Sequence, residues 1–429
     1  MNRIWCWILV VGAASLGCRG KREAAPSAAA GTAGAAGLTT TASGAAAAKG
    51  ADGCLTQPDY LVPPQKYGDN DLVRALLVDG DQLFFRNLSQ LMKVPLAGGP
   101  VTTIGKAPAL SLRGTTELFR SGSDLLMQSP GEPIFMKSSK TGGAWTTFID
   151  LTAAKRGGGR DAATRILQGL GGARTPSASA AAFDGQAFYY ALITQGKGKD
   201  APSTSMLESE PLSGGEPKKL LEMQGEISEV TRVGNQVAFH VVLPPTAEQL
   251  KKAAEDRKTH KFALGVSGEN WIMAVPAAGG EAKKLMRLSS VFSGGLLGTS
   301  TILGADGDKL YLSGYADEDF AKPGIFRLDV AGTGPEQLEK RFVRGKAYVS
   351  GDQVVIVGSG SASPGGNPAL TTHGPLVLSG ARNGKSLQQL ACVGGAMQLH
   401  ASAVAGDFAL LSLFGSDTRL ASIAKLRLR

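Results

Sequence analysis

The sequence predicts an all-β propeller of seven four-stranded blades, and three observations predict it. A short module recurs along the chain: an Asx/Gly turn, a β-rich run with an aromatic, and a Gly-Gly turn. Seven turn glycines mark its copies, Gly80, Gly122, Gly185, Gly234, Gly307, Gly351 and Gly406. Glycine supplies 58 of the 429 residues, as a chain built from many tight turns requires.

The first copy, Val78 to Gly99, shows the logic. Asp79-Gly80-Asp81 is a tight turn, because Gly accepts positive φ and Asp caps its own backbone. Leu83-Phe84-Phe85 is a β-rich run, and Leu91 to Leu96 alternates apolar and polar side chains as a half-buried strand does. Gly98-Gly99 turns the chain into a last strand, Val101 to Ile104, and Leu72 to Val78 is the first. Later copies keep the order: Ser121-Gly122-Ser123 with Leu125 to Met127, Asp184-Gly185 with Phe188 to Tyr190, and Gly234-Asn235 with Val237 to Phe239. Asp306-Gly307-Asp308 precedes Leu310 to Leu312, Gly351-Asp352 precedes Val354 to Val357, and Gly406-Asp407 precedes Ala409 to Leu411.

Successive turn glycines lie 42, 63, 49, 73, 44 and 55 residues apart. The shortest gaps match a propeller blade of roughly 40–45 residues, and the longer ones are that unit plus insertions. One such sheet has two open edges and too small a core to stand alone, and radial stacking buries its faces. The second and sixth copies are the weakest, which leaves six or eight blades open; a β-sandwich with incidental Gly-Gly turns is the competing architecture. Phe84, Tyr189, Phe239 and Tyr311 recur near the middle of the second strand, four or five residues after the turn glycine, a regularity expected of packing between blades. The seventh copy ends without a fourth strand, and the stretch from Tyr60 to Val62 is expected to supply it.

Residues 54–429 form the propeller, and what precedes them has a different character. Residues 1–17 read as a signal peptide: Arg3 opens it, and Ile4 to Val11 is an apolar core too short to span a bilayer permanently. Residues 18–53, rich in Ala, Gly, Ser and Thr, have too few large apolar side chains to bury a core and read as a flexible tether. Cys54 and Cys392 remain once Cys6 and Cys18 are assigned to the N-terminal segment. In an oxidising compartment that pair is expected to form a disulfide that fastens the N-terminus at the closure of the ring, with two buried thiols as the alternative.

The distance from turn glycine to Gly-Gly grows from 18 and 20 residues in the first two copies to 29 and 45 in the next two. A further insertion, about Ala154 to Ser179, joins the second copy to the third. In an up-and-down blade both connection types emerge at one end, so the insertions gather on one face, where binding usually sits. That face is basic. It carries Arg156, Arg160, Arg165 and Arg174, and Lys251 and Lys252 within a stretch of helical spacing that Thr246 caps. With a formal charge of +9, these side chains suit an anionic partner, a protein or an anionic glycan, and equally serve as a solvated surface. The loops lack the interleaved aromatics of a nucleic-acid channel.

Little points to chemistry. His240, His260, His373 and His400 show no metal-ligand spacing, and a strand histidine such as His240 reads as a core or rim residue. Asp317-Glu318-Asp319 lacks the spacing of an EF-hand and reads as a solvated loop. No nucleophile elbow or phosphate loop is present, and no cofactor is expected.

Ser15-Leu16-Gly17-Cys18 resembles the lipobox of bacterial lipoproteins, with Ser15 where that motif prefers Leu. The resemblance implies lipid attachment at Cys18; a plainly secreted chain or an uncleaved anchor is the alternative. Arg19 follows, where Asp would resemble an inner-membrane retention signal, so the outer membrane is the expected location. The DG–aromatic strand–GG pattern of residues 70–429 resembles bacterial cell-envelope β-propellers, TolB-like propellers among them. That resemblance implies a periplasmic or surface binding scaffold; a monomer held at the membrane by its N-terminal lipid is expected. The alternative is a periplasmic propeller enzyme, a lyase or hydrolase with its active site at the axial channel.

Overall fold

The computed structural model describes residues 54–55, 58–65, 73–87, 90–107, 118–128, 134–150, 177–194, 196, 201–213, 216–259, 268–288, 300–316, 323–332, 334–360, 374–394 and 397–428. The signal segment, Cys18, the tether, Asp317 to Asp319, His260, His373, Arg156, Arg160, Arg165 and Arg174 lie outside these residues.

Seven four-stranded antiparallel sheets form the ring. The first strand of the chain, β1 (Tyr60–Gln65), belongs to the last of them. Blade 1 is β2 (Ala75–Asp79), β3 (Gln82–Arg86), β4 (Gln90–Pro95) and β5 (Thr102–Lys106). Blade 2 is β6 (Leu118–Ser121), β7 (Asp124–Gln128), β8 (Ile134–Ser139) and β9 (Thr146–Asp150), and blade 3 is β10 (Ser177–Phe183), β11 (Ala187–Thr194), β12 (Thr204–Pro211) and β13 (Lys218–Gln224). Blade 4 is β14 (Glu226–Val233), β15 (Gln236–Val242), β16 (Asn270–Pro276) and β17 (Lys283–Leu288), and blade 5 is β18 (Ser300–Asp306), β19 (Lys309–Tyr315), β20 (Pro323–Asp329) and β21 (Pro335–Glu339). Blade 6 is β22 (Val343–Ser350), β23 (Gln353–Gly360), β24 (Gly374–Ala381) and β25 (Gln388–Cys392). Blade 7 is β26 (Met397–Ala405), β27 (Phe408–Gly415) and β28 (Leu420–Arg427), completed by β1.

The first strands surround the axis. β2 touches β6, β10 touches β14, and contacts continue through β18 and β22 to β26 and back to β2. Phe119 of β6 meets Phe183 of β10 edge-on at 5.7 Å, which supplies the remaining step. All seven turn glycines have positive φ, between +53° and +96°. That backbone conformation is why the module's punctuation is glycine.

The core is divided as the ring is. Seven apolar clusters each join two neighbouring blades, from Leu83, Phe85 and Leu410 at blades 7 and 1 to Val355, Val377 and Leu411 at blades 6 and 7. Phe84, Tyr189, Phe239 and Tyr311 all sit within these clusters and are buried, as inter-blade packing requires. Truncating one such ring to Ala costs about 3–5 kcal/mol.

Closure follows the expected route with one difference. β1 pairs antiparallel with β28, placing Tyr60 opposite Ala424 and Val62 opposite Ile423. Cys54 and Cys392 are disulfide-bonded, Cα to Cα 4.7 Å, across a sequence separation of 338. Cys392 ends the outer strand of blade 6, however, one blade before the closure itself. Leu55 bridges Val393 in parallel there, before the chain crosses to blade 7. Residues 54–79 therefore fasten blade 6, complete blade 7 and open blade 1.

The long connection between β15 and β16 contains helix α1 (Ala247–Thr259). Thr246 caps it reciprocally with Gln249: the Gln249 N–H donates to Thr246 Oγ1 at 3.2 Å, and the Thr246 N–H donates to Gln249 Oε1 at 2.8 Å. This connection and the one from β9 to β10 leave the ring at the same end, opposite the glycine turns.

The loop-rich mouth of the ring as candidate functional site

Both faces of each blade are covered by its neighbours, so a first-strand side chain that stays exposed opens toward the axis. At the loop-rich end these side chains are polar. Glu226 and Ser228 of β14 and Arg344 and Lys346 of β22 are exposed there, with Arg74 and His400 half-buried beside them.

The strand ends explain the gathering. Arg74, Ser228, Thr301 and His400 each stand six residues before a turn glycine, Gly80, Gly234, Gly307 and Gly406. An equal residue count to the turn sets all four toward the loop-rich end of the ring. In blades 4 and 7 a β-bulge falls here, with register shifts between Ile227 and Glu229 and between Leu399 and Ala401. A bulge adds one residue that leaves the ladder and re-aims its side chain. The added residues are Ser228 and His400.

The boundary of blades 7 and 1 is basic. Val73 accepts a hydrogen bond from Ser412 Oγ at 2.6 Å, which docks the start of blade 1 on blade 7. Arg74 follows, and its N–H donates to the Arg86 carbonyl at 3.0 Å. The Arg86 side chain is fully buried; its Nε donates to the Asn87 carbonyl at 3.1 Å, and Nη1 lies 2.9 Å from Met127 Sδ. Burial, and then the charge of Arg74, bring the Arg86 pKa down to about 10. His400 is shifted downward by the same two causes in the same order. Arg74 thus stands in electrostatic reach of two other basic groups. Its Nε, and Nε2 of His400, are buried and make no hydrogen bond among the described residues.

The boundary of blades 4 and 5 is different. Glu229 is largely buried and reaches across, accepting from the Ile302 N–H at 2.5 Å and from the Thr301 hydroxyl. Burial raises its pKa against those two bonds. Beside it, His240 is 8% exposed and its Nδ1 lies 2.7 Å from Ser228 Oγ. Burial brings the His240 pKa down to about 4, while Asn270 beside the ring favours the charged form. Asn270 acts on the ring from outside strict hydrogen-bond geometry.

Of the residues expected to form a basic face, Lys251 is exposed on α1 and Lys252 lies on the same helix. The polar first-strand residues are the ones the repeat pattern passes over, because they differ from blade to blade. Among the described residues, no three His, Cys, Asp or Glu side chains gather as a metal site. A groove of about 610 Å³ lies at the opposite end, beside Asp306, Asp308, Asp352 and Arg382; it belongs to the joint between blades 5 and 6.

No family model matches the chain. No curated protein matches it either. Solved structures do. Oligogalacturonate lyase from Vibrio parahaemolyticus is 12% identical, with a TM-score of 0.52 over 85% of this chain and 92% of its own. A puromycin-hydrolysing peptidase from Mycobacterium tuberculosis is 12% identical, with a TM-score of 0.51 over 87% of this chain and 55% of its own. This chain therefore spans about half of that peptidase. TolB from Acinetobacter baumannii is also similar, at 10% identity and a TM-score of 0.34. At these identities the likeness is one of fold, and it places the chain among β-propellers.

Proposed function

We propose that the chain is a lipid-anchored propeller of the bacterial envelope that binds an anionic glycan at the loop-rich mouth of its ring. The observation that carries this reading is that the charge of Arg74 acts on both His400 and Arg86. It disfavours the charged form of each, and the two buried nitrogens of Arg74 and His400 lack acceptors among the described residues. A carboxylate seated there supplies those acceptors and relieves the repulsion. It also favours the charged imidazole, so binding takes up a proton and strengthens as pH falls. Lys251 and the basic residues of the β9–β10 connection extend the attraction outward and steer a polyanion to the mouth.

Titration calorimetry tests this with oligogalacturonate, a convenient polycarboxylate, against a neutral glucan oligomer of the same length. Binding of the acidic oligomer alone is expected, weakened by salt and lost in Arg74→Gln and His400→Gln. Equal binding of both oligomers, or none, overturns it. Binding of an acidic protein without binding of the glycan moves the function to protein recognition. Lipid attachment is read separately, from the mass of the membrane-extracted protein: a species beginning at Cys18 with acyl chains supports the anchor, and a soluble species removes it.

A further inference from the structure

Ser228 combines three properties. It is exposed, it stands on the first strand at the loop-rich mouth, and it is the residue a bulge adds to β14. On either side of it, Ile227 pairs with Val241 and Glu229 pairs with His240. Without the bulge, alternation would send Ser228 to the face opposite Glu229. With it, Ser228 turns to the face that carries His240, and its Oγ comes within 2.7 Å of Nδ1. Asn270 opens β16 on that same face, two residues from Ile272, the partner of His240. Asn270 is 2% exposed.

The protonation states follow from the surroundings. The buried imidazole is neutral at pH 7, because the cost of burying its charge outweighs the support that Asn270 gives it. A neutral ring has one N–H and one lone pair. With the Ser228 hydroxyl donating to Nδ1, the N–H is on Nε2, a buried atom that makes no hydrogen bond among the described residues, while Asn270 acts on the ring electrostatically. An exposed hydroxyl, a base within hydrogen-bond reach and a buried third group behind the base is the order of an activated nucleophile.

We infer that Ser228, His240 and Asn270 form an esterase site, with Ser228 as nucleophile, His240 as general base and Asn270 as the group that orients the ring. Ser228 Oγ attacks the ester carbonyl carbon while its proton passes to Nδ1. The tetrahedral adduct collapses, the C–O bond to the alcohol breaks, and the leaving oxygen takes the proton from Nδ1. Water then attacks the acyl-serine, giving a proton to Nδ1. The carboxylic acid departs as that proton returns to Ser228 Oγ. One ester and one water become one acid and one alcohol, with no oxidant or metal required. A weakly basic imidazole suits an ester with a ready leaving group and not an amide. The site stands on blade 4, apart from the basic boundary of blades 7 and 1.

The test uses the folded chain, a fluorophosphonate probe and p-nitrophenyl acetate. We expect a covalent adduct on Ser228 by peptide mapping, and ester turnover that falls at least about 100-fold in Ser228→Ala. Ser228→Ala leaves the buried His240 Nδ1 without its partner, so its melting temperature is read alongside; a variant that is still folded and has lost turnover is the expected result. Asn270→Ala tests the orienting role: kcat is expected to fall with KM unchanged, and Asn270→Gln to recover part of it. An absent adduct at Ser228, or turnover indifferent to Ser228→Ala, overturns the inference. Both readouts are independent of glycan binding, so failure of one proposal is distinguishable from failure of the other.

Discussion

Arg382 holds Asp306 across the boundary of blades 5 and 6, Nε donating to Oδ2 at 2.6 Å and Nη2 to Oδ1 at 2.5 Å. The two positions are defined by the fold. Asp306 immediately precedes a turn glycine, and the Arg382 N–H donates to Asp352, the residue after the next blade's turn glycine. Asp79 and Lys140 occupy the same positions at blades 1 and 2 and are ion-paired. Val233 and Val330 occupy them at blades 4 and 5, packed in one apolar cluster, and Ala405 and Leu96 do so at blades 7 and 1. At these four joints the space is filled either by an ion pair or by two apolar side chains; Ser121 with Leu212, Asp184 with Ala277 and Ser350 with Leu428 set a polar side chain against an apolar one at the other three.

This joint predicts a double-mutant cycle. Asp306→Val and Arg382→Val should each lower Tm, because each leaves a charge facing an apolar group. The double variant, which copies Val233 and Val330, should recover most of the loss. Thermal melts of the four proteins measure the coupling. Additive losses would show that the two positions do not act as a pair.

The disulfide predicts a second outcome. Cys54 and Cys392 enclose a very long loop, for which chain entropy gives up to about 5 kcal/mol of stabilisation. Cys54→Ala should lower Tm and release the edge it fastens. Hydrogen exchange should rise at Leu55 and along β1, with little change in β14 to β17 on the far side of the ring. Uniform acceleration would mean that the bond holds the whole ring and not this segment.

His240 predicts a pH dependence of stability. Its folded pKa of about 4 lies below the ordinary 6.5, so the unfolded chain binds the proton more readily. Stability therefore falls as pH drops from about 6.5 toward 4, by at most about 3 kcal/mol. Glu229 faces the same boundary with a raised pKa and works in the opposite direction, losing stability as pH rises above the ordinary carboxylate range. The difference between denaturation curves of the native chain and His240→Gln isolates the histidine. That difference should vary between pH 4 and 6.5 and level off above; a flat difference overturns the assignment.

Two glycines predict unequal costs. Gly80 has φ +61° with open space around it, so Gly80→Ala pays only for the left-handed backbone, about 1 kcal/mol. Gly142 has φ +107°, and a Cβ there would lie 2.2 Å from the Ile104 carbonyl oxygen of blade 1. Gly142→Ala should cost more than about 2 kcal/mol. Chemical denaturation of both variants orders them.

The ring was legible in the sequence because each blade needs the same turn, and that turn needs glycine. Seven positive-φ glycines and seven inter-blade clusters are two views of that one requirement. The strand that completes blade 7 was legible too: the seventh copy offers three strands, and Tyr60 to Val62 pairs with the last of them. The attachment of Cys54 to blade 6 was not, since nothing in residues 54–59 marks which outer strand they meet. The mouth was hidden for another reason. Arg74, Ser228, Thr301 and His400 share a distance from the turn glycine and nothing else, and function at a ring's axis is built from such differences. Ser228 and His240 are 12 residues apart on paired strands, and only the bulge at Ile227 and Glu229 makes them neighbours. A plain strand pairing read from the sequence would have separated them.

The position of β1 has a consequence for assembly in time. The strand translated first is the one that must wait longest, because its partner β28 lies at the other end of the chain. Until residues 420–427 exist, β1 is an unpaired edge, and the ring stays open beside blade 1. Completion of blade 7 therefore requires two segments far apart in sequence to meet. A ribosome-stalled product lacking β28 should leave β1 sensitive to protease while the middle blades resist, and the circle is complete only when β28 has been made.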